Sequence, residues 1–212
     1  MSFLDKNIEE YVEAFAPKES GLLAKLNRET HLKVMKPNML SGHYQGRLLS
    51  FISKMIQPKH ILEIGTYTGY SALCLAEGLP ENGKLTTIDR NEELLDLQKD
   101  YFEASEYTEK IHQICGDAMD LIPDLNEKFD LVFIDADKHN YTNYFDLIVP
   151  KMNTGGIILS DNVLWKGKVT EADKNDKQTA ALKKYNQKIA EDNRVESLIL
   201  PIRDGLTLTR VK

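Results

Sequence analysis

The sequence predicts a doubly wound α/β fold: a seven-stranded, mostly parallel sheet with helices on both faces, an antiparallel C-terminal hairpin and a helical N-terminal extension. Two observations carry this expectation. From residue 60 onward, short apolar runs alternate with stretches of helical periodicity, the signature of repeated βαβ units whose strands are buried on both faces. The last two runs are joined only by IRDG, a turn signal that fits an antiparallel hairpin at one sheet edge.

Taken in order, the N-terminal part is helical. Leu4, Ile8, Val12 and Phe15 recur at helical spacing and stop at Pro17; a second helix starts near Ser20 and carries Leu22, Leu23, Leu26 and Val34. The segment KPNMLSGHYQG breaks the pattern with Pro37 and Gly42, and a third helix follows with Leu48, Leu49, Ile52 and Ile56. The strand runs are HILEI, KLTTID, KIHQICG, FDLVFID, GGIILSD, VESLILP and GLTLTRVK, separated by helical stretches such as SALCLAEGL, EELLDLQKDYF, YTNYFDLIV and TAALKKYNQKIAE. No period of 20–50 residues suggests a repeat array. The 212 residues are read as a single domain, 1–212, with the extension 1–57 inside it.

Composition narrows the partners. Hydrophobic residues make up 42% and charged residues 28%, as in ordinary soluble domains, and no apolar run approaches the roughly 18 residues a membrane span needs. The opening MSFLDKNIEEYVEAF lacks the basic-then-apolar order of a secretory signal. Cys74 and Cys115 sit apart in apolar stretches, as packing thiols do in a reducing compartment, so a cytoplasmic location is expected. A net charge of −6, with lysines dispersed among carboxylates, argues against a nucleic-acid substrate.

In open α/β sheets, ligands bind beyond the carboxyl ends of the strands. The first run ends in Glu63-Ile64-Gly65-Thr66-Tyr67-Thr68-Gly69-Tyr70-Ser71. Its two glycines allow a tight turn, but Tyr67 takes the middle glycine position of a dinucleotide fingerprint. Glu63 in front of the loop suits a ligand bearing a positive group. Asp89, at the second strand end, either accepts both ribose hydroxyls or caps the next helix. Gly116-Asp117-Ala118 either meets an adenine edge or caps a helix through Asp117. FDLVFID ends at Asp135, followed by Asp137 and Lys138, while GGIILSD ends at Asp161, followed by Asn162. Adjacent strands would thus deliver two carboxylates and a carboxamide to one rim, an all-oxygen set suited to a hard cation such as Mg²⁺.

These residues together resemble the cation-dependent O-methyltransferases, the S-adenosylmethionine-dependent family that includes catechol O-methyltransferase and caffeoyl-CoA O-methyltransferase. LEIGTYTGYSAL, TTIDRN, FIDADKHNY and SDNVLWKG fall in the family's order, and PIRDGLTLTR is similar to its closing hairpin. The resemblance runs from about residue 37 to the C-terminus. It implies a Rossmann-like fold in which Glu63, Gly65, Thr66 and Ser71 hold the methionine portion of S-adenosylmethionine. Asp89 would hold the ribose and Ala118 would lie against the adenine. Leu40 and Ser41 would contact the cofactor from the loop before the third helix, and Asp135 and Asp137 would lie beside it. Asp135, Asp161 and Asn162 would ligate Mg²⁺, or another divalent cation such as Mn²⁺ or Ca²⁺. Lys138 matches the catalytic lysine. Lys166 stands where plant members carry an asparagine that meets the acyl-CoA substrate. A homodimer is implied as well.

Methyl transfer from a sulfonium is an in-line displacement, in which alignment can supply roughly 7–11 kcal/mol of the barrier. A free catechol hydroxyl, like tyrosine with a pKa of about 10, is mostly protonated at neutral pH. A divalent ion on both vicinal oxygens favours the ionised form. Lys138 either takes up the proton or stays charged beside the oxyanion. Trp165 either walls an aromatic acceptor or anchors its loop. Tyr141 and Tyr144 read as packing residues, and residues 163–175 with 37–43 as a lid. The expected acceptor is a small aromatic vicinal diol. Two alternatives explain part of the pattern: a methyltransferase acting on hydroxylated uridine in tRNA, and an NAD-dependent dehydrogenase, which leaves Asp135, Asp161 and Asn162 without a purpose.

Overall fold

The computed structural model describes residues 5–171 and 176–212. Leu4 therefore lies outside the described residues, as does the stretch 172–175 of the expected lid. Helix α1 (Lys6–Ala14) starts at Asp5, whose carboxylate accepts the Asn7 N–H at 2.9 Å, and it buries none of its residues. Helix α2 (Gly21–Lys33) starts behind Ser20, whose hydroxyl accepts the Leu23 N–H at 3.2 Å; it turns Leu23, Leu26 and Thr30 inward. Helix α3 (Gly42–Ile56) begins inside the stretch that the sequence suggests is irregular. Its first turn is polar, so apolar periodicity does not reveal it. α3 packs closely on α4 (Tyr70–Ala76): a Cβ at Gly46 would stand 2.6 Å from Tyr70 Cε1 and 2.9 Å from Cys74 Sγ.

The strands are β1 (His60–Ile64), β2 (Lys84–Asp89), β3 (Ile111–Cys115), β4 (Phe129–Ile134), β5 (Met152–Asp161), β6 (Val195–Leu200) and β7 (Leu206–Val211). They form one sheet in the order β3-β2-β1-β4-β5-β7-β6, parallel except for β7, which runs antiparallel to both β5 and β6. The hairpin thus folds back so that β6 occupies the edge.

Helices α5 (Leu95–Glu103), α6 (Ala118–Asp124), α7 (Tyr141–Ile148) and α8 (Lys177–Glu191) complete the layers. Side chains alternate across a strand, and β4 shows why its run is apolar throughout. Val132 and Ile134 point into a core shared with Tyr141, Phe145 and Tyr185, whereas Leu131 and Phe133 enter a second core with Leu26, Leu49 and Leu75. Burying each such side chain contributes about 1.5–3 kcal/mol, so both faces hold the strand ends in place. Among the described residues, no helix is long and apolar enough to cross a membrane.

The register places the functional rim. Ile64 pairs with Ile134, and Ile134 with Ser160. Gly65, Asp135 and Asp161 therefore stand side by side at one end of the sheet. The backbone ladder continues past the strands to pin them: Gly65 N–H donates to Ile88 O and Asp135 N–H to Ile64 O, both at 2.9 Å.

Candidate functional site: a cleft at the strand ends

The loop after β1 is built around Gly65. At φ +102° it takes a conformation that side chains rarely adopt, and an added Cβ would lie 2.0 Å from the Asp135 carbonyl oxygen. Glycine is needed here because two neighbouring strand exits touch. Tyr67, also left-handed at φ 50°, donates its N–H to Asp89 Oδ2 at 2.7 Å, and Gln98 Nε2 donates to Tyr67 O at 2.6 Å. Asp89 Oδ1 accepts the Asn91 N–H at 2.9 Å. The cap of the next helical turn is Asn91, which accepts the Glu93 N–H at 3.1 Å, so Asp89 is a rim carboxylate and not a cap. At the β3 exit Asp117 does cap α6, accepting the Met119 N–H at 2.8 Å, and sets Ala118 as the first helical residue.

Glu63 departs from its expected place. It is fully buried beneath the loop and does not line the cleft. Oε2 accepts from Thr87 Oγ1 at 2.5 Å, and Thr87 Oγ1 lies 2.5 Å from Thr66 Oγ1, so the carboxyl supports the loop through two hydroxyls. Burial pushes its pKa up to about 8; the hydroxyls of Ser71 and Thr87 act in the opposite direction, and Asp135 and Asp89 add to the rise.

The β4 and β5 exits carry the densest chemistry. Lys138, buried, donates to Asp135 Oδ1 at 2.9 Å and to the Tyr141 hydroxyl at 2.7 Å. That hydroxyl donates in turn to Asp161 O at 2.9 Å. Tyr141 and Tyr144 pack in the core as expected, yet both also serve the rim: Tyr144 donates to Asp137 Oδ1 at 2.6 Å, and Asn140 Nδ2 to Asp137 Oδ2 at 2.8 Å. Asp161 is buried, and first burial, then the neighbouring Asp135, raise its pKa. Asp161 Oδ1 accepts the Asn162 N–H at 2.8 Å, and Asn162 adopts φ 60°. Two carboxylates and a carboxamide, with Lys138 the ammonium bonded directly to Asp135, form an all-oxygen donor set whose crowded negative charge favours a bound cation. The residues fit a divalent ion.

From the other side Gln45, on the first turn of α3, donates to Asp161 Oδ2 at 2.8 Å. Arg203, in the turn between β6 and β7, donates through Nη1 to Gln45 Oε1 and Leu40 O, each at 3.2 Å, and to Ser41 O.

These groups surround a cleft of about 910 Å³. Leu40 and Ser41 enter from the α3 side, Gly65, Thr66 and Ser71 from the first loop, and Asp89 and Ala118 from the next two exits. Asp135, Asp137, Lys138, Asp161, Asn162, Trp165 and Lys166 complete its lining.

A family model described as O-methyltransferase matches residues 13–212. The chain belongs to the O-methyltransferase family. The caffeoyl-CoA O-methyltransferase of Stellaria longipes is 35% identical over 205 residues, covering 92% of this chain and 85% of the relative. Caffeoyl-CoA O-methyltransferase 1 of Zea mays is 36% identical over 211 residues, covering 92% and 80%. Among solved structures, the O-methyltransferase TomG from Streptomyces achromogenes, in complex with SAM, superposes with TM-score 0.89 at 28% identity, covering 97% of this chain and 96% of that one. An O-methyltransferase from Bacillus cereus, in complex with SAH, gives TM-score 0.87 at 27% identity over 97% of both chains. This membership leaves no support for the dehydrogenase reading.

In this O-methyltransferase, Trp165 anchors its loop and also faces the cleft. It packs partly buried against the core, lines the cleft, and keeps Nε1 buried without a hydrogen-bond partner among the described residues. Lys166 is exposed at φ 57°, its N–H held by Asp204 Oδ1. His43 lies away from the chemistry, its Nε2 2.7 Å from Pro17 O, and His139 is exposed. Gln45, Arg203 and Thr87 are among the participants that sequence reasoning did not single out. Lys138 and Tyr141 stand three apart at the start of a helix, a spacing that could have signalled their contact. Nothing local signals that Gln45 meets Asp161 across 116 residues.

Proposed function

We propose that this O-methyltransferase transfers the methyl group of S-adenosylmethionine to one hydroxyl of a small aromatic vicinal diol, with a divalent cation held by Asp135, Asp161 and Asn162. The observation that carries this reading is the convergence of Asp135, Lys138 and Asp161 on the same cleft as the Gly65–Ser71 loop. Further support comes from relatives named caffeoyl-CoA O-methyltransferase and from structural neighbours solved with SAM or SAH.

In this reading Gly65, Thr66 and Ser71 receive the methionine portion, with Glu63 bracing the loop from below. Asp89 receives the ribose, Ala118 the adenine, and Leu40, Ser41 and Asp137 close the cofactor side. The cation, Mg²⁺ or a similar divalent ion, would supply Lewis acidity that favours the ionised acceptor. Lys138 either stays charged beside the oxyanion or takes up the acceptor's proton, and the Tyr141 hydroxyl fixes the Nζ position. Trp165 offers an aromatic wall and Lys166 a cation at the acceptor side. The whole chain is taken as one catalytic domain, active in the cytoplasm, with Cys74 and Cys115 both free.

The test is a panel of catechols, flavonoid-like diols, hydroxycinnamoyl esters and tRNA, assayed with S-adenosylmethionine with and without Mg²⁺. Turnover of a diol that disappears in chelator is expected. Turnover of tRNA alone, or of diols undiminished by chelator, contradicts the proposal.

A further inference from the structure

Gln45 is 1% exposed and lies between two groups of opposite hydrogen-bonding character. The Asp161 carboxylate only accepts, and the Arg203 guanidinium only donates, so the amide has a single orientation that satisfies both neighbours. Nε2 must face Asp161 Oδ2, at 2.8 Å, and Oε1 must face Arg203 Nη1, at 3.2 Å. The other Asp161 oxygen takes the Asn162 N–H at 2.8 Å. Each carboxylate oxygen is therefore held by one protein donor, which fixes the plane of the group and leaves further lone pairs for a cation.

Arg203 is itself fixed. It sits in a left-handed conformation at φ 48° in the β6–β7 turn, and the nitrogen that meets Gln45 also meets the carbonyls of Leu40 and Ser41. One guanidinium thus joins the segment on the cofactor side of the cleft to the side chain that aims Asp161.

We infer that Gln45 is a positioning residue for the cation site: it holds the Asp161 carboxylate in its ligating orientation, and Arg203 sets the Gln45 amide. The inference rests on the proposed reading of Asp161 as a metal ligand. Groups that orient a ligating carboxylate typically account for roughly 10- to 100-fold in metal affinity.

The experiment is a Mn²⁺ titration of the full chain by electron paramagnetic resonance, paired with calorimetric titration of S-adenosylhomocysteine without metal. Wild type, Gln45→Leu and Arg203→Met are compared, with melting temperatures recorded for each. In Gln45→Leu the Mn²⁺ Kd is expected to rise roughly 10-fold or more while the S-adenosylhomocysteine Kd is unchanged. In Arg203→Met both are expected to weaken, because the Leu40 and Ser41 carbonyls lose their donor. If Gln45→Leu does not fold, an Mn²⁺ Kd that rises more than the S-adenosylhomocysteine Kd in Arg203→Met, at an unchanged melting temperature, supports the inference, and an unchanged Mn²⁺ Kd or an equal rise of the two overturns it. A Gln45→Leu variant that binds Mn²⁺ like wild type overturns the inference and leaves the cation reading standing. In Gln45→Leu, equal weakening of Mn²⁺ and S-adenosylhomocysteine, the mark of general loosening, also overturns it. Wild type that binds no Mn²⁺ overturns both.

Discussion

Lys138 Nζ stands 2.9 Å from Asp135 Oδ1, three residues back along the chain, in an ion pair whose lysine side chain is only 7% exposed. An ammonium held this way is placed to act on charge developing in the cleft. Lys138→Ala is expected to lower kcat by roughly 100-fold or more, in the range of a lost acid–base or electrostatic group, while S-adenosylmethionine affinity changes little. Steady-state kinetics and calorimetry separate the two; an unchanged kcat removes the lysine from the mechanism.

Asp161 should be required for the cation and not for the cofactor. Asp161→Ala is expected to abolish metal-dependent turnover and retain S-adenosylmethionine binding. Full activity of the wild type in excess chelator would contradict this.

Gly65 tolerates no side chain. A Cβ there meets the Asp135 carbonyl oxygen at 2.0 Å, and φ +102° is itself unfavourable for alanine. Overpacking and left-handed strain together cost on the order of 3 kcal/mol. Gly65→Ala should lower the melting temperature by roughly 6 °C or more and weaken both cofactor and metal binding, since the strain falls on the Asp135 backbone. Wild-type stability in this variant would show that the β1 and β4 exits are not in contact.

Glu63 is expected to make the stability of the ligand-free protein fall as pH rises. Its folded pKa, about 8, lies above the ordinary value of 4.5, so its contribution to stability is fully present below that ordinary value and is lost as pH rises through about 8. The melting temperature of the ligand-free wild type should therefore fall between pH 5 and pH 9 by roughly 5 °C or more, and Glu63→Gln should flatten the profile. Parallel profiles for the two proteins would assign the pH dependence elsewhere.

The homodimer implied by the family resemblance has a candidate surface in α1. Ile8, Tyr11 and Phe15 are 53%, 65% and 75% exposed, and the Tyr11 and Phe15 rings pair at 4.7 Å. A helix that buries none of its residues in its own chain gains little from folding alone. Light scattering is expected to report a dimer, and Tyr11→Asp with Phe15→Asp a monomer. A wild-type monomer at micromolar concentration rules this arrangement out.

The strand runs were legible because apolar alternation is a local property: a parallel strand buried on both faces must be apolar nearly throughout, as FDLVFID is. The rim residues were legible for a related reason, since strands that share a register present their exits together, and Asp135 and Asp161 end neighbouring runs. Asp89 and Asp117 show where that legibility stops. Each follows a strand and precedes a helical turn, and only the hydrogen bonds reveal that Asn91 caps in one place and Asp117 in the other.

By itself, then, the amino-acid order determined the layers, the sheet's parallel core and the oxygen-rich exits, because these follow from periodicity and from residue types at strand ends. Tertiary structure alone decided that Glu63 lies sealed beneath its loop, that Tyr141 bridges Lys138 to the β5 exit, and that Gln45 and Arg203 aim Asp161. Those contacts depend on which helix crosses which strand and at what depth, and a side chain meeting a partner more than a hundred residues away leaves no periodic trace in the chain.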